Sequence, residues 1–327
     1  MRKIILTFDY EVFLGKNTGD IHKSLIEPTE RLIKLFQKYD AKGIFFVDYL
    51  FLQKLKEDYP NIYILIENQL TKLVQLNSNI ELHIHPHWLD AMKSDYGKWS
   101  FKSFDKFRLH SLNESQIQHL FYEGKKNLEA IARKVKKQYT IKSFRAGGWS
   151  IMPFDKLAYS FERNEIKYDF SVLPGEFINN PPHHFYDFRK APSLEYWRFN
   201  DDLFTPIETG RFIEIPVSTF QISFYDFLLN KVLIRKNKIF GDGLGLQLQQ
   251  SLFVRVKKVL SSRKRKLTTD FTSPKIINKY LSISNRELEC FVAHPKVFTE
   301  ESFLVIEDIL KKYKTFNIQD IEFYVNR

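Results

Sequence analysis

An intramolecular disulfide bond and a membrane-spanning helix are both excluded by what this chain of 327 residues lacks. Its single cysteine, Cys290, cannot form an intramolecular disulfide, and its apolar surroundings in the sequence predict a buried, unreactive thiol. No stretch approaches the roughly 18 consecutive apolar residues of a transmembrane helix. The apolar stretch at the N-terminus is too short for a secretion signal and is typical of a strand. We therefore expect a cytoplasmic protein.

Nucleotide-binding signatures are also missing, because no glycine-rich phosphate-binding fingerprint follows any predicted strand. The glycines of 241–245 lack the required spacing and lie in a basic, leucine-rich segment.

Positive charge is abundant but concentrated in one segment. Residues 221–270 hold eleven Lys or Arg residues and three Asp, and so contribute +8 of the net charge of +11. The nearly neutral remainder argues against a nucleic-acid partner. We interpret 221–272 as a basic insertion that forms a lid, an oligomer contact or, through 231–266, a surface for an anionic membrane or substrate. A solvated basic face is the alternative.

Short apolar runs alternate with amphipathic stretches of helical length. The predicted strands are 3–8, 43–49, 80–83, 141–145, 166–172, 212–217 and 289–293. The predicted helices include 29–39, 64–76, 115–135, 274–281 and 300–312, with Asn113 and Thr299 as N-caps of the third and the last. This alternation implies parallel pairing with right-handed crossovers, and the number of strands favours a barrel over a flat sheet.

Polar residues with catalytic potential stand where the predicted strands end. They are Asp9 and Glu11, the histidines of 83–87, Arg145, Asp169 with Ser171, and His294. In a parallel α/β barrel these strand ends share one face, and active sites are built on that face.

The segment His83-Ile84-His85-Pro86-His87 holds three of the nine histidines within five residues. Imidazole and carboxylate ligands suit a divalent transition metal. His83 and His87 share one face of a helical turn, whereas all three histidines share one face of a strand, and either geometry can close on one ion. Pro86 favours a loop or a first helical turn. The alternative is that these histidines are hydrogen-bonded polar groups at the barrel rim.

Five separated motifs together resemble those of the polysaccharide deacetylase family, which shares the NodB homology domain and includes carbohydrate esterase family 4. They are TFDYE (7–11), HIHPH (83–87), FRAGGW (144–149), DFSVLP (169–174) and VAHP (292–295), in the family's order. The resemblance covers residues 1 to about 220 and 273–327. It implies a single α/β catalytic domain over 1–327, a distorted (β/α) barrel of the NodB/polysaccharide deacetylase type, with the basic insertion before the last strand.

The resemblance also implies hydrolysis of an acetamide on a sugar with a divalent metal, usually zinc, with cobalt or nickel sometimes functional. Asp9 would be the base and Arg145 would keep it ionised. His294 would be the acid, a role that suits imidazole because it titrates near neutrality. Asp169 would orient His294.

This chain departs from the family pattern at the acidic pair, where Tyr10 follows Asp9. On a strand Tyr10 faces away from Asp9, whereas Glu11 shares its face. We therefore predict Glu11, His83 and His87 as the metal ligands and leave His85 without a role. The alternative is that Asp9 binds the metal and no separate base remains.

The third motif also departs from the family, since Gly147, Gly148 and Trp149 replace the more usual Pro-Tyr. This predicts a wider acceptor pocket, with a backbone N–H of either glycine stabilising an oxyanion. We expect Trp88 and Trp149 to stack on a sugar ring.

These observations predict a metal-dependent hydrolase that removes an acetyl group from an N-acetylated sugar or glycan in cell-surface polysaccharide or lipid-linked glycan metabolism. It would be cytoplasmic, with a peripheral membrane contact through the insertion. A hydrolase of another non-peptide C–N bond and a non-catalytic glycan-binding protein with a degenerate site are the alternatives.

Overall fold

A curled parallel sheet wrapped by helices organises the chain. The computed structural model describes residues 2–15, 17–94, 97–180, 184–234, 238–245 and 264–326. Several cations of the basic insertion lie outside these residues, namely Arg235, Lys236, Arg255, Lys257, Lys258 and Arg263.

The main sheet contains all seven predicted strands. Its order is β10-β11-β7-β6-β3-β2-β1-β14, with β15 paired to β1. Every neighbour along this path is parallel except the antiparallel pair of β10 and β11. The strands are β1 (Lys3–Tyr10), β2 (Ile44–Asp48), β3 (Asn79–Ile84), β6 (Ser143–Ala146), β7 (Tyr168–Asp169), β10 (Trp197–Phe199), β11 (Phe212–Glu214), β14 (Leu288–Ala293) and β15 (Lys314–Thr315).

Three antiparallel hairpins lie outside the main sheet. They pair β4 (Ala91–Lys93) with β5 (Trp99–Phe101), β8 (Phe177–Asn180) with β9 (His184–Asp187), and β12 (Thr219–Gln221) with β13 (Lys264–Lys266).

All five predicted helices are present, and Asn113 and Thr299 are confirmed as N-caps because each completes a capping box. The helices of the described residues are α1 (Glu27–Tyr39), α2 (Tyr49–Asp58), α3 (Pro60–Gln75), α4 (Glu114–Arg133), α5 (Asp155–Arg163), α6 (Phe224–Ile234), α7 (Pro274–Ile283), α8 (Glu300–Lys312) and α9 (Ile318–Val325). Within the described part of the chain, no helix combines the length and the apolar character needed to cross a bilayer.

The chain that follows β11 links the two edges of the curled sheet. The N–H of Val217 donates to the carbonyl of Val172, and that of Ser218 donates to the carbonyl of Cys290 on β14. Leu267 then donates to Ser218 and accepts from Val292. The sheet thus approaches closure, which confirms the predicted distorted (β/α) barrel. The division into one domain with an insertion over 221–272 stays a prediction.

Alternate residues of each strand separate two apolar groups. Ile5 and Phe46 belong to an inner group inside the curled sheet, whereas Phe8 and Phe45 belong to the larger group between the sheet and its helices. Cys290 lies in the inner group, and burial raises the pKa of its thiol to about 12. The predicted buried and unreactive cysteine fits this position.

Candidate active site

Arg145 on β6 is a fully buried cation at the centre of the site. Its Nη1 donates to Asp9 Oδ1 at 2.5 Å, its Nη2 to Thr7 Oγ1 at 2.7 Å, and its Nε to the carbonyl of Phe170 at 3.0 Å. Its guanidinium carbon lies 4.2 Å from the ring centroid of Phe46 in the inner apolar group. Arg145 therefore joins β1 to the chain just after β7 and closes the top of the inner core.

Asp9 is a buried carboxylate held between two cations. Its second oxygen, Oδ2, lies 3.2 Å from Nε2 of His294. Although burial alone raises the pKa of Asp9, the charges of Arg145 and His294 hold that pKa well below its usual range. Asp9 is therefore ionised at neutral pH.

His294 follows β14 and lies between two carboxylates. Its Nδ1 is 2.6 Å from Oδ2 of Asp270, and its backbone N–H donates to Oδ1 of the same residue at 3.1 Å. Burial lowers the pKa of His294, but Asp270 and Asp9 together raise it to about 9. The imidazole is therefore protonated at neutral pH and donates on both sides.

The carboxylate that orients His294 is thus Asp270, and the prediction of Asp169 for this role is wrong. The Oγ of Ser171 donates to Asp169 at 2.7 Å, and the Asp169 carboxyl also bonds to Glu214 on the neighbouring β11. Burial raises the pKa of Asp169, and burial together with Asp169 raises that of Glu214 well above its usual range. Because Asp169 is engaged with the next strand, its side chain is not available to His294.

Glu11, His83 and His85 bring three potential metal-ligating atoms within 4.8 Å of one another. The Nδ1 of His83 donates to the carbonyl of Arg145 at 2.7 Å, which directs the lone pair of Nε2 into the site. That Nε2 lies 3.5 Å from Glu11 Oε2. The Nε2 of His85 lies 2.7 Å from the same oxygen, so both imidazoles face one carboxylate oxygen.

These residues fit a divalent metal because two imidazole nitrogens and one carboxylate oxygen converge in a buried site. The Nε2 of His83 is buried and makes no hydrogen bond in the described part of the chain, which is costly unless another group satisfies it. Two imidazoles and one carboxylate are a ligand set that leaves coordination positions open. The other oxygen of Glu11 accepts from Lys296 Nζ at 2.7 Å and is already used.

A second group, Asp9, Glu11 and His294, also lies within 4.8 Å. Asp9 is engaged by Arg145 and His294, and His294 is engaged by Asp270. The geometry therefore favours Glu11 over Asp9 as the metal carboxylate, so that Asp9 need not bind a metal and can be the base.

His87, predicted as a ligand, belongs to neither group, and His85 lies in the position expected for it. Pro86 begins a short turn of 3-10 helix (Pro86–Asp90), which directs the His87 ring toward the β4–β5 hairpin. The ring is fully buried, makes no hydrogen bond within the described residues, and has a pKa held well below its usual range by burial. Its aromatic neighbours are Trp88, Phe101, Phe104 and Phe107.

The prediction that Trp88 stacks on a sugar ring is wrong. Trp88 is fully buried and packs on Phe51 and Trp99. A ring in the core cannot stack on a sugar. Trp149, in contrast, is only partly buried, and it lines a cavity together with Asp270.

The two glycines before Trp149 allow close packing, and the wider acceptor pocket stays a prediction. A Cβ on Gly147 would lie 2.5 Å from the carbonyl oxygen of Ile84 and 2.8 Å from Nδ1 of His85. Gly148 has a φ of +61°, and a Cβ there would lie 2.5 Å from the ring of Phe107. The glycines thus let the histidine loop approach β6, which places His85 beside Glu11.

Sequence reasoning missed four residues of the site, namely Asp270, His85 as a ligand, Lys296 and Asp48. Asp48 ends β2, is fully buried, and accepts the backbone N–H of His85 at 3.4 Å. Asp48 follows a buried apolar run in the same way as Asp9, and Lys296 follows His294 by two residues. The sequence therefore offered a reason to place both residues at the site. Asp270 is a single acidic residue at the end of the basic insertion, and no feature of the sequence placed it at the site.

Comparison with known proteins identifies an architecture. No protein-family model and no curated protein matches the chain. A 4-alpha-glucanotransferase from Thermococcus litoralis is 13% identical with a TM-score of 0.50, over 99% of this chain and 38% of that one. A CE4 family pseudoenzyme from Bacillus anthracis is 12% identical with a TM-score of 0.43, over 98% of this chain and 64% of that one. A family 4 carbohydrate esterase from Streptomyces lividans is 9% identical with a TM-score of 0.41, over 95% of this chain and 86% of that one.

The chain spans less than two thirds of the length of the pseudoenzyme, and all three identities describe the fold alone. That fold is a curled α/β barrel, the architecture that the resemblance to polysaccharide deacetylases implies.

Replacing Arg145 with Met should remove one of the two cationic partners of the buried Asp9 and lower the free energy of unfolding by about 3–5 kcal/mol. Adding Asp9→Asn to that variant should restore part of the loss, because the charge is then removed. Urea unfolding at pH 7 measures both effects. Arg211→Met, which breaks an exposed ion pair of 2.7 Å with Asp201, is the matched control and should cost at most about 1 kcal/mol. Equal losses for Arg145→Met and the control would contradict the central position of Arg145.

Metal affinity distinguishes His85 from His87. His85→Ala should weaken zinc binding by at least about tenfold, because an imidazole of the ligand group is lost, whereas His87→Ala should change it by less than about threefold. Competition with a chromophoric chelator gives the dissociation constants without any assay of activity. The opposite order would return the ligand role to His87.

Proposed function

We propose that this chain is a metal-dependent hydrolase that removes an acetyl group from an N-acetylated sugar or glycan. The observation that carries the proposal is the continuous chain of contacts from Arg145 through Asp9 and His294 to Asp270. It supplies an ionised carboxylate and a protonated imidazole at one end of the barrel. The metal-ligating atoms of His83 and Glu11 lie at the same end.

The protonation states of Asp9 and His294 suit amide hydrolysis. Asp9 accepts a proton from the attacking water, and protonated His294 gives its proton to the leaving amine. Asp9 is then protonated and His294 is neutral. Because Arg145 still favours the charged form of Asp9, the proton on Asp9 passes to Nε2 of His294 across the 3.2 Å contact, which restores both groups.

Glu11, His83 and His85 would hold the metal, and zinc suits their oxygen and nitrogen donors, with cobalt or nickel as substitutes. Such an ion, when bound, polarises a carbonyl and lowers the pKa of bound water. A backbone N–H near Gly147 or Gly148 would stabilise the oxyanion, a contribution of about 3 kcal/mol. Trp149 would contact the sugar, and the protein would act in the cytoplasm.

One observation favours a second candidate, a non-catalytic glycan-binding protein. Lys296 Nζ is 2.7 Å from Glu11 Oε1, and its charge competes with a metal ion for that carboxylate. This candidate predicts weak metal binding and no acetate release. A hydrolase of a different non-peptide C–N bond would differ only in the substrate it accepts.

Acetate release from N-acetylated sugars tests the proposal directly. The chelated protein should be inactive and should recover when zinc is restored. Asp9→Asn and His294→Ala should each reduce the rate by at least about 100-fold, because each removes a proton-transfer group. His119→Ala, at an exposed position on α4, is the control and should leave the rate unchanged. No acetate from any such sugar, with metal shown to be bound, would contradict the deacetylase proposal.

The pH profile should report the protonation state of His294. Because the acid form is required and its pKa is raised to about 9, kcat/KM should be maintained up to that pH and decline above it. Asp270→Asn removes the largest interaction that raises this pKa, so the alkaline limb should move to lower pH. An alkaline limb that Asp270→Asn leaves in place would exclude His294 as the titrating acid.

A further inference from the structure

A cavity of about 470 Å³ adjoins the catalytic residues, with Asp270 and Trp149 in its wall. This volume falls in the range of small-molecule sites. Because Asp270 bonds to His294, a molecule that contacts Asp270 in this cavity is one residue away from the proposed acid. The cavity is therefore placed to hold part of the substrate that extends beyond the reacting sugar.

The lining of this cavity is mostly apolar. Leu173, Phe220, Ile222, Phe227 and Ile276 contribute to it.

The polar side chains of the lining are largely engaged with the protein itself. Asn230 donates to the carbonyl of Phe271 and accepts from the N–H of Ser273, while Thr268 and Thr272 bond to the backbone of Asp270. A sugar chain would bring many hydroxyls here with few partners, whereas an apolar chain needs none.

Three cations surround this apolar lining. Lys231 and Arg265 lie 4.6 Å and 5.0 Å from the ring centroid of Phe227, and Lys266 lies 5.5 Å from that of Trp149. None of the three pairs with a carboxylate among the described residues. They are therefore available to an anionic group of a ligand.

Within the described part of the chain, neither carboxylate of the lining forms an ion pair with these three cations. Asp270 is bonded to His294, and Glu176 lies close enough to Lys264 to act on its charge. Unpaired Lys and Arg side chains next to an apolar wall match a phosphate or diphosphate joined to an apolar chain.

The apolar character of the cavity continues to the outer surface through α6. This helix places Phe227 in the cavity wall, and several of its other apolar side chains are between 45% and 72% exposed. These exposed side chains are Phe224, Tyr225, Leu228 and Val232. An apolar chain longer than the cavity can thus extend along an apolar surface.

We propose that this cavity binds the carrier part of the substrate, an apolar chain joined through a phosphate or diphosphate to the N-acetylated sugar. This inference rests on the proposed deacetylase function for the N-acetylated sugar at one end of the substrate. The carrier at the other end of the substrate is inferred from the cavity alone. The substrate class is therefore a lipid-linked sugar phosphate rather than a free polysaccharide.

Binding of decyl phosphate, followed by calorimetry below its micelle-forming concentration, tests the cavity without any turnover. Inorganic phosphate provides the charge alone and decyl glucoside provides the chain alone. Decyl phosphate should bind at least about tenfold more tightly than either one, because only it uses both the cations and the apolar wall. Equal affinity for a free N-acetylglucosamine trisaccharide and decyl phosphate would overturn the proposal.

Two variants locate the binding. The double variant Arg265→Gln with Lys266→Gln should lower the affinity for decyl phosphate by at least about tenfold. Arg163→Gln, at an exposed position on α5, is the control and should leave this affinity unchanged. Phe271→Asn removes an apolar side chain that is 46% exposed, at a positive φ of 52° that Asn tolerates, and should weaken binding by about threefold. Unchanged affinity in both variants would overturn the proposal even if binding occurs elsewhere.

Acetate release separates this proposal from the proposed function. N-acetylglucosamine linked to decyl diphosphate should be hydrolysed with a kcat/KM at least about tenfold above that of the trisaccharide, and Arg265→Gln with Lys266→Gln should remove this preference. Equal rates on both substrates would overturn the carrier site and leave the deacetylase proposal intact. Tight decyl phosphate binding with no acetate from either substrate would support the cavity and contradict the deacetylase proposal.

Discussion

The buried ion pair between Arg145 and Asp9 is the interaction on which the rest of the site depends. A guanidinium with no exposed surface requires partners for its donors, and Asp9, Thr7 and the carbonyl of Phe170 provide them. Its own carbonyl accepts from His83 and thereby fixes which nitrogen of that imidazole faces the metal site. One residue thus sets the charge of the proposed base and the orientation of a proposed ligand.

The same constraint explains why the site separates into two halves. Arg145, Asp9, His294 and Asp270 follow one another in contact and alternate in charge, and this alternation keeps one carboxylate ionised and one imidazole protonated. On the other side Glu11 gives one oxygen to Lys296 and directs the other toward the histidines. Proton transfer and metal binding therefore depend on different carboxylates, although Asp9 and Glu11 are only two residues apart.

Much of this arrangement could be predicted from the sequence, because parallel strands end at one edge and their final residues meet there. That rule placed Asp9, His83, Arg145 and His294 together without knowledge of the helices. It could not choose between His85 and His87, since the choice depends on the turn at Pro86 and on the contact with Gly147. Asp270 was missed for another reason: it reaches His294 from the end of the basic insertion, where no motif marks it.

The cavity beside Asp270 extends this account from the reaction to the substrate, because its wall and the proposed acid share that residue. The proposed catalytic roles presuppose that a metal lies on the histidine side of Asp9. Anomalous scattering at the zinc edge, from crystals grown with zinc, measures this directly. The account predicts a peak within coordination distance of His83 Nε2, His85 and Glu11 Oε2, with Asp9 still paired to Arg145. A peak on His87 or on Asp9, or none at a saturating zinc concentration, would contradict it.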